Sequence, residues 1–217
     1  MKFSDINYSV GAMLIMTAFI SFLGFALENI WLSVRKGYMD NRNMFAPFLL
    51  GYGVAVMGFY LLLGTPENPR IYRMRPWQND PNLRLAAYFI IVFLCVSLGE
   101  ILLGKTIEKI CHVILWDYTS IPMHITRYTS IPTSIGFSVI IMTFMNCFFE
   151  RIMDLIMRIE PNAAMFTGVL LVFIMTADFL ANTLRMIRTH SIMTVWRLDI
   201  GLHRYKYSDK YLTNERK

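Results

Sequence analysis

Charge is scarce in this sequence. Only 17% of its 217 residues are Asp, Glu, Lys or Arg, against about a quarter in an ordinary soluble domain. That excludes a disordered, solvated chain, which needs high charge and few apolar groups. Cysteine is scarce too. Cys95, Cys111 and Cys147 are the three, with no C-x-x-C spacing, so neither a disulfide framework nor a zinc knuckle is indicated. They read as small apolar side chains. No Walker A loop, G-x-S-x-G elbow or H-E-x-x-H helix is present, which removes ATP binding through a P-loop of the chain's own and two common hydrolase designs. No run alternates as the strands of a membrane barrel do. The first apolar run, about Tyr8 to Val34, is too long for a signal-peptide core and has no small-residue cleavage site after it, so it reads as a retained span.

Apolar residues are what the chain has in abundance: 55% are hydrophobic and 14% aromatic, with mean hydropathy +0.44. They fall in blocks near the roughly 20 residues that a helix needs to cross about 30 Å of hydrocarbon. Five spans are expected, over residues 8–34, 44–63, 85–103, 131–157 and 163–187, with the third helix continuing to about Leu115. Helices are the default for such runs because hydrocarbon offers backbone groups no partners. The fold class is therefore an all-α polytopic membrane bundle over residues 1–187. A basic, aromatic tail follows over 188–217.

That tail carries seven basic residues, from Arg188 and Arg197 to Arg216 and Lys217, against three acidic ones, and so accounts for +4 of the chain's net +6. Basic flanks stay on the cytoplasmic side. Five spans then place the N-terminus outside and the C-terminus in the cytoplasm. Loops with Arg35, Lys36 and Arg42, and with Lys105, Lys109 and Arg127, fall inside. The segment Thr65–Arg84 falls outside, extended by Pro66, Pro69, Pro76 and Pro81. In the tail, Ile192, Val195, Leu198, Leu202 and Tyr205 recur at three and four, an amphipathic stripe suited to anionic lipid of the inner leaflet. Nucleic acid is not the expected partner of a segment tethered to a membrane.

Spans 1 and 3 repeat one another. Thr17, Ser21, Gly24, Glu28 and Arg35 line one face of the first; Ser97, Glu100, Gly104, Glu108 and His112 line one face of the third. Each stripe is followed by a polar loop and then by a proline, Pro47 or Pro132, near the start of the next span. Two similar two-helix units plus a fifth helix are expected. Small residues at such spacing also let helices pack closely.

Glu28, Glu100 and Asp178 lie inside apolar runs. A carboxylate at mid-bilayer costs at least about 2.5 kcal/mol and needs a partner, a proton or water. Asp178, Asn182 and Arg185 share a face of span 5, which allows a local Asp178–Arg185 pair bridged by Asn182. Glu150 and Asp154 on span 4 have Arg151 and Arg158 nearby and read as interfacial ion pairs. Glu108 and His112, four apart on one helix face, with His124 in the following loop, are the weak candidates for a metal. No third ligand is fixed by spacing, so no metal or other cofactor is expected.

The two polar loops carry the most distinctive residues. The first reads Lys36-Gly37-Tyr38-Met39-Asp40-Asn41-Arg42-Asn43-Met44-Phe45-Ala46-Pro47, followed by Gly51-Tyr52-Gly53; the second has Glu108-Lys109-Ile110 and then Trp116-Asp117-Tyr118-Thr119. Together they resemble the bacterial family of putative ABC-transporter permeases (type IV), small all-helical proteins of the inner membrane. By that resemblance the functional positions are Glu28, Asn41, Arg42, Pro47, Tyr52, Gly53, Glu108, Trp116, Asp117, Tyr118 and Gly136. The chain departs from the family's pattern at Asn43 and Ala46, where glycines are expected. It departs also at Leu50, His124, Arg127 and Ile135. The resemblance implies a transport component working with a separate ATPase subunit.

Physically, Arg42 offers a planar fork of donors for a carboxylate or a phosphate. It can lock the two units together or hold an anionic headgroup or substrate. Trp116 and Tyr118 suit the headgroup region. Three functions fit these residues. One is a permease component in two or more copies, with a polar site at the cytoplasmic ends of spans 1 and 3. Another is a membrane enzyme acting on a lipid or isoprenoid phosphate headgroup, with Glu28 or Glu108 as base. The third is a structural or regulatory subunit of a larger membrane complex.

Overall fold

A computed structural model describes residues 8–70 and 80–200. Its helices are α1 (Val10–Lys36), α2 (Leu50–Leu63), α3 (Pro81–Cys111), α4 (Ile131–Cys147), α5 (Phe149–Ile156) and α6 (Pro161–Thr189). Short strands β1 (Tyr38–Asp40), β2 (His124–Thr126), β3 (Thr129–Ser130) and β4 (Arg197–Asp199) sit in the connections. The protein is an all-α helical bundle.

Local chemistry sets the helix ends. The Ser9 hydroxyl accepts from the Ala12 N–H at 3.2 Å to start α1, and Gly37, at φ +75°, closes it. Asp80 caps α3 and Glu160 caps α6, each followed by proline in the first turn, where a missing N–H costs nothing. His112 and His190 end α3 and α6 in the left-handed conformation.

α1, α3 and α6 have 27, 31 and 29 residues. At 1.5 Å per residue each exceeds the roughly 30 Å of a hydrocarbon core, and each is apolar enough to cross it. Their outward faces carry Leu98, Leu102, Phe166 and Phe173, all more than half exposed. The chain is a membrane protein.

Two expected spans differ from their sequence reading. Span 2 is helical only over Leu50–Leu63, 14 residues, about 21 Å. The apolar residues before it are not helical. Pro47 disfavours helix at Ala46, and Asp178 captures the backbone there. Span 4 is broken: α4 and α5 meet at Phe148 with a bend of 52°. The bend turns Phe149 into the core, where its ring stacks on Tyr60 at 4.6 Å between centroids. Among the described residues, three helices are therefore long and apolar enough to span, or four with the bent pair taken as one.

α1 packs on α6 and α2, and α3 packs on α4. Met16, Val56, Tyr60, Tyr88, Val92, Met145, Phe149 and Met153 form the shared core. At Gly11 and Gly168 the backbones of α1 and α6 come so close that a Cβ on either would collide with the facing helix.

The C-terminal ends of α1, α3 and α6 share one face of the bundle. β1 pairs antiparallel with β4, and the His190 ring nitrogen Nδ1 lies 2.9 Å from the Cys111 carbonyl. The start of α1 and the end of α5 meet on the opposite face, where Ser9 N contacts Met157 Sδ. Glu150 is also there, accepting from Thr65 Oγ1 at 2.7 Å and Asn68 Nδ2 at 2.8 Å. Those hydrogen bonds replace the ion pair expected for it.

The tail residues 191–200 are extended, so the expected helical stripe does not form over Ile192, Val195 and Leu198. Leu202, Tyr205 and the remaining tail lie outside the described residues, as do residues 1–7 and 71–79.

Candidate functional site

The repeat seen in the sequence takes a specific form. After α1 reaches its face of the bundle, residues 37–49 turn back along it. The Leu49 N–H donates to the Ser21 carbonyl at 3.0 Å, about four turns short of the end of α1. After α3, residues 112–130 turn back in the same way, and α4 starts beside Glu100, about three turns short of the end of α3. In each unit an aromatic ring fills a glycine gap on the long helix. The Tyr52 ring sits where a Cβ of Gly24 would be, and the Tyr128 ring where one of Gly104 would be. One turn beyond each glycine stands a glutamate with an arginine from the returning segment: Glu28 with Arg42, and Glu108 with Arg127.

Glu28 is held twice. Arg42 Nη2 donates to Oε2 at 3.0 Å, and the Tyr52 hydroxyl donates to Oε1 at 2.6 Å. The Glu28 and Arg42 side chains are 22% and 25% exposed, so the pair is sheltered yet not sealed. Asp40 stands second to Glu28, with Oδ1 3.8 Å from Arg42 Nη1. The turn that aims Arg42 is unusual, because Arg42 and Asn43 both have positive φ, +48° and +62°. Asparagine, at 43, is among the few residues other than glycine that tolerate that conformation.

Asn41 and Asn43 flank Arg42 and hold the turn. Asn41 Nδ2 donates to the Met44 carbonyl at 2.9 Å while its Oδ1 accepts from the Val195 N–H at 2.9 Å; Asn43 Oδ1 accepts from the Met193 N–H at 2.8 Å. Both asparagines are buried. Asn41 therefore acts on Arg42 through the backbone. Trp196, on the same tail segment, closes one side of a pocket of about 200 Å³ whose other walls include Phe25, Phe45 and Pro47.

Glu100 lies beside this site. Its Oε2 accepts from Thr129 Oγ1 at 2.6 Å and from Ser134 Oγ at 3.4 Å. Tyr118 is turned toward Glu100 and lies within electrostatic reach of Glu28 and Arg42. Burial raises its phenol above the usual value, and the carboxylates of Glu100 and Glu28 push the same way. Tyr118 thus keeps its proton at neutral pH and is available as a hydrogen-bond donor. Its neighbours complete the turn: Trp116 Nε1 donates to the Tyr128 carbonyl at 2.9 Å, and Asp117 Oδ1 accepts from the Thr119 N–H at 2.8 Å.

The remaining expected residues fall elsewhere. Glu108 pairs with Arg127 at 3.3 Å, both more than a third exposed, in a place separate from Glu28. His112 packs edge-on against His190 with ring centroids 5.1 Å apart, and His124 Nδ1 lies 3.2 Å from the Ile121 carbonyl. Among the described residues no three His, Cys, Asp or Glu side chains gather as a metal ion would require. Asp178 does not pair with Arg185. Its carboxylate accepts from the backbone N–H groups of Phe45 at 3.1 Å and Ala46 at 2.9 Å, and from Asn182 Nδ2 at 2.7 Å. Non-helical backbone at membrane depth needs such a protein partner. Gly136 has open space where a Cβ would point, so its place in the pattern has no packing explanation.

Sequence reasoning missed Thr129 and Ser134 as partners of Glu100, because hydroxyl residues at a helix start read as caps. The spacing of Gly24 and Gly104 ahead of their glutamates was the signal for the two ring-filled gaps.

A family model described as "Putative ABC-transporter type IV" matches residues 15–183, which include every polar residue of the site. No curated protein and no solved structure matches the chain.

Proposed function

The chain belongs to this Putative ABC-transporter type IV family, and we propose that it is the membrane-embedded permease component of a transporter. In this reading the working site lies where the two units meet: Glu28 and Arg42 from the first, Tyr118 and Glu100 from the second. The observation that carries it is the pair of segments that turn back into the bundle and deliver Arg42 and Tyr118 to carboxylates on the long helices. Transporters use internal repeats and interrupted helices in this manner, because unwound backbone and polar side chains are tolerated only around a site.

The chain has no P-loop, so energy from ATP has to come through a separate subunit. The face bearing β1, β4 and the ends of α1, α3 and α6 is the docking side in this reading. It is also the cytoplasmic side, with the N-terminus outside. Arg35, Lys36, Lys105, Lys109 and Arg188 cluster toward that face, as basic flanks do. The lipid-phosphate enzyme is less well supported, since Glu28 occupies the Arg42 fork and Arg127 occupies Glu108.

Purification from mild detergent tests the proposal. An ATPase subunit is expected to travel with the protein, and its ATP hydrolysis to rise in the assembled complex. Absence of any such subunit, with no stimulation, removes the transport reading.

A further inference from the structure

Glu28 and Glu100 are near neighbours with opposite surroundings. Glu28 has the Arg42 guanidinium at 3.0 Å. Among the described residues no Lys, Arg or His nitrogen comes within 4.0 Å of Glu100. Its hydrogen-bond partners are uncharged, Thr129 Oγ1 at 2.6 Å and Ser134 Oγ at 3.4 Å, and the neighbouring Tyr118 phenol is uncharged too. Thr129 and Ser134 are fully buried, so water does not replace them. The charges that bear on Glu100 from the packed elements are the Glu28 carboxylate on α1 and, beyond it, Arg42, which Glu28 already engages. Tyr118 and Tyr52 contribute neutral phenols. α4 contributes hydroxyls alone at this point.

We propose that Glu100 is a proton-binding site, taking up and releasing a proton within the membrane beside the Glu28–Arg42 ion pair. Two physical arguments carry this. A carboxylate without a cation in an apolar span is costly to keep charged, and neutralisation is the usual escape. A second carboxylate nearby disfavours another negative charge.

The surrounding hydroxyls suit both states. With Glu100 ionised, Thr129 and Ser134 donate to it, and the neutral Tyr118 phenol lies close by. With Glu100 protonated, its O–H donates to Thr129 Oγ1, and Thr129 turns its own hydrogen to Ser134 Oγ, 2.9 Å away. No bond other than O–H changes, and the proton comes from solvent. Thr129 lies on β3 and Ser134 in the first turn of α4, so the proton sets the direction of hydrogen bonding where the second unit turns back. The inference stands on Glu100's surroundings and does not require the transport reading.

Difference infrared spectroscopy of the purified protein in lipid nanodiscs, titrated with pH, tests it. A protonated-carboxyl C=O band is expected to persist above the ordinary carboxylate range. It is expected to be missing in Glu100→Gln and retained in Thr129→Ala. Gln mimics the protonated acid, which favours folding of the first variant. Thr129→Ala removes a charge-assisted hydrogen bond from the ionised form and a weaker neutral one from the protonated form, so its midpoint is expected to move to higher pH. A wild-type protein with no such band, a band that survives Glu100→Gln, or an unmoved midpoint in Thr129→Ala would overturn the proposal. These outcomes are independent of whether an ATPase subunit co-purifies.

Discussion

The Tyr52 ring occupies the space beside Gly24 while its hydroxyl donates to Glu28 Oε1 at 2.6 Å. One residue thus packs the first unit and holds its acid. Adding a methyl at Gly24 forces the ring away and stretches that hydrogen bond. Gly24→Ala is expected to destabilise by about 1–3 kcal/mol, as overpacking does, and Gly104→Ala, which meets the Tyr128 ring, by a similar amount. Gly58→Ala and Gly99→Ala face open space and are expected to be neutral or slightly stabilising. Thermal unfolding in detergent separates the two classes.

The two glutamate–arginine pairs differ in shelter. Glu28–Arg42 is about a quarter exposed, whereas Glu108–Arg127 is exposed by more than a third. A double-mutant cycle of Glu28→Gln with Arg42→Gln is expected to give a coupling of about 1.5–3 kcal/mol, the range of hydrogen bonds to charged groups. The matching cycle on Glu108 and Arg127 is expected to give less than about 1 kcal/mol, as exposed pairs do. Equal couplings would place the two pairs in equivalent environments.

Asp178 satisfies two backbone N–H groups of the segment before α2. Asp178→Ala leaves them without that charged partner, and a hydrogen bond to a charged group contributes about 1.5–3 kcal/mol. Loss of stability is expected together with new protease cleavage within residues 41–47. Arg185→Ala, with no contact to Asp178, is expected to leave that segment protected.

Met39 faces Leu198 across the β1–β4 pair. Antiparallel partners lie within disulfide range, so Met39→Cys with Leu198→Cys is expected to cross-link on mild oxidation. The three native cysteines would first be replaced. In intact cells both single cysteines are expected to resist a membrane-impermeant thiol reagent until the membrane is opened. Labelling from outside would invert the proposed orientation.

Much of the architecture was legible because hydrocarbon leaves a plain mark on sequence. The apolar runs assigned to spans 1, 3 and 5 became α1, α3 and α6. The shortened second helix was not legible. Met44 to Leu49 are as apolar as a helix, and hydropathy does not distinguish helix from extended chain; Pro47 was the one local hint. The break at Phe148 has neither proline nor glycine, and it coincides with a tertiary contact, the stacking of Phe149 on Tyr60. Glu28 and Arg42 stood out as charges near apolar runs, and their contact is a tertiary fact. Asp178 stands out by its charge, but helix periodicity points to Arg185 as its partner and cannot see the backbone of Phe45 and Ala46. The pairing of β4 with β1 had no signal in a tail whose spacing imitates a helix.

The most direct measurement is ATP hydrolysis by the assembled complex carrying Glu28→Gln, compared with the wild-type complex at equal amounts of folded protein. Stimulated hydrolysis is expected to be lost while assembly and abundance persist, because the substitution removes the charge that Arg42 meets at the junction of the two units. Undiminished hydrolysis, or a loss that only tracks reduced abundance, would contradict the account and leave Glu28 and Arg42 as a structural lock.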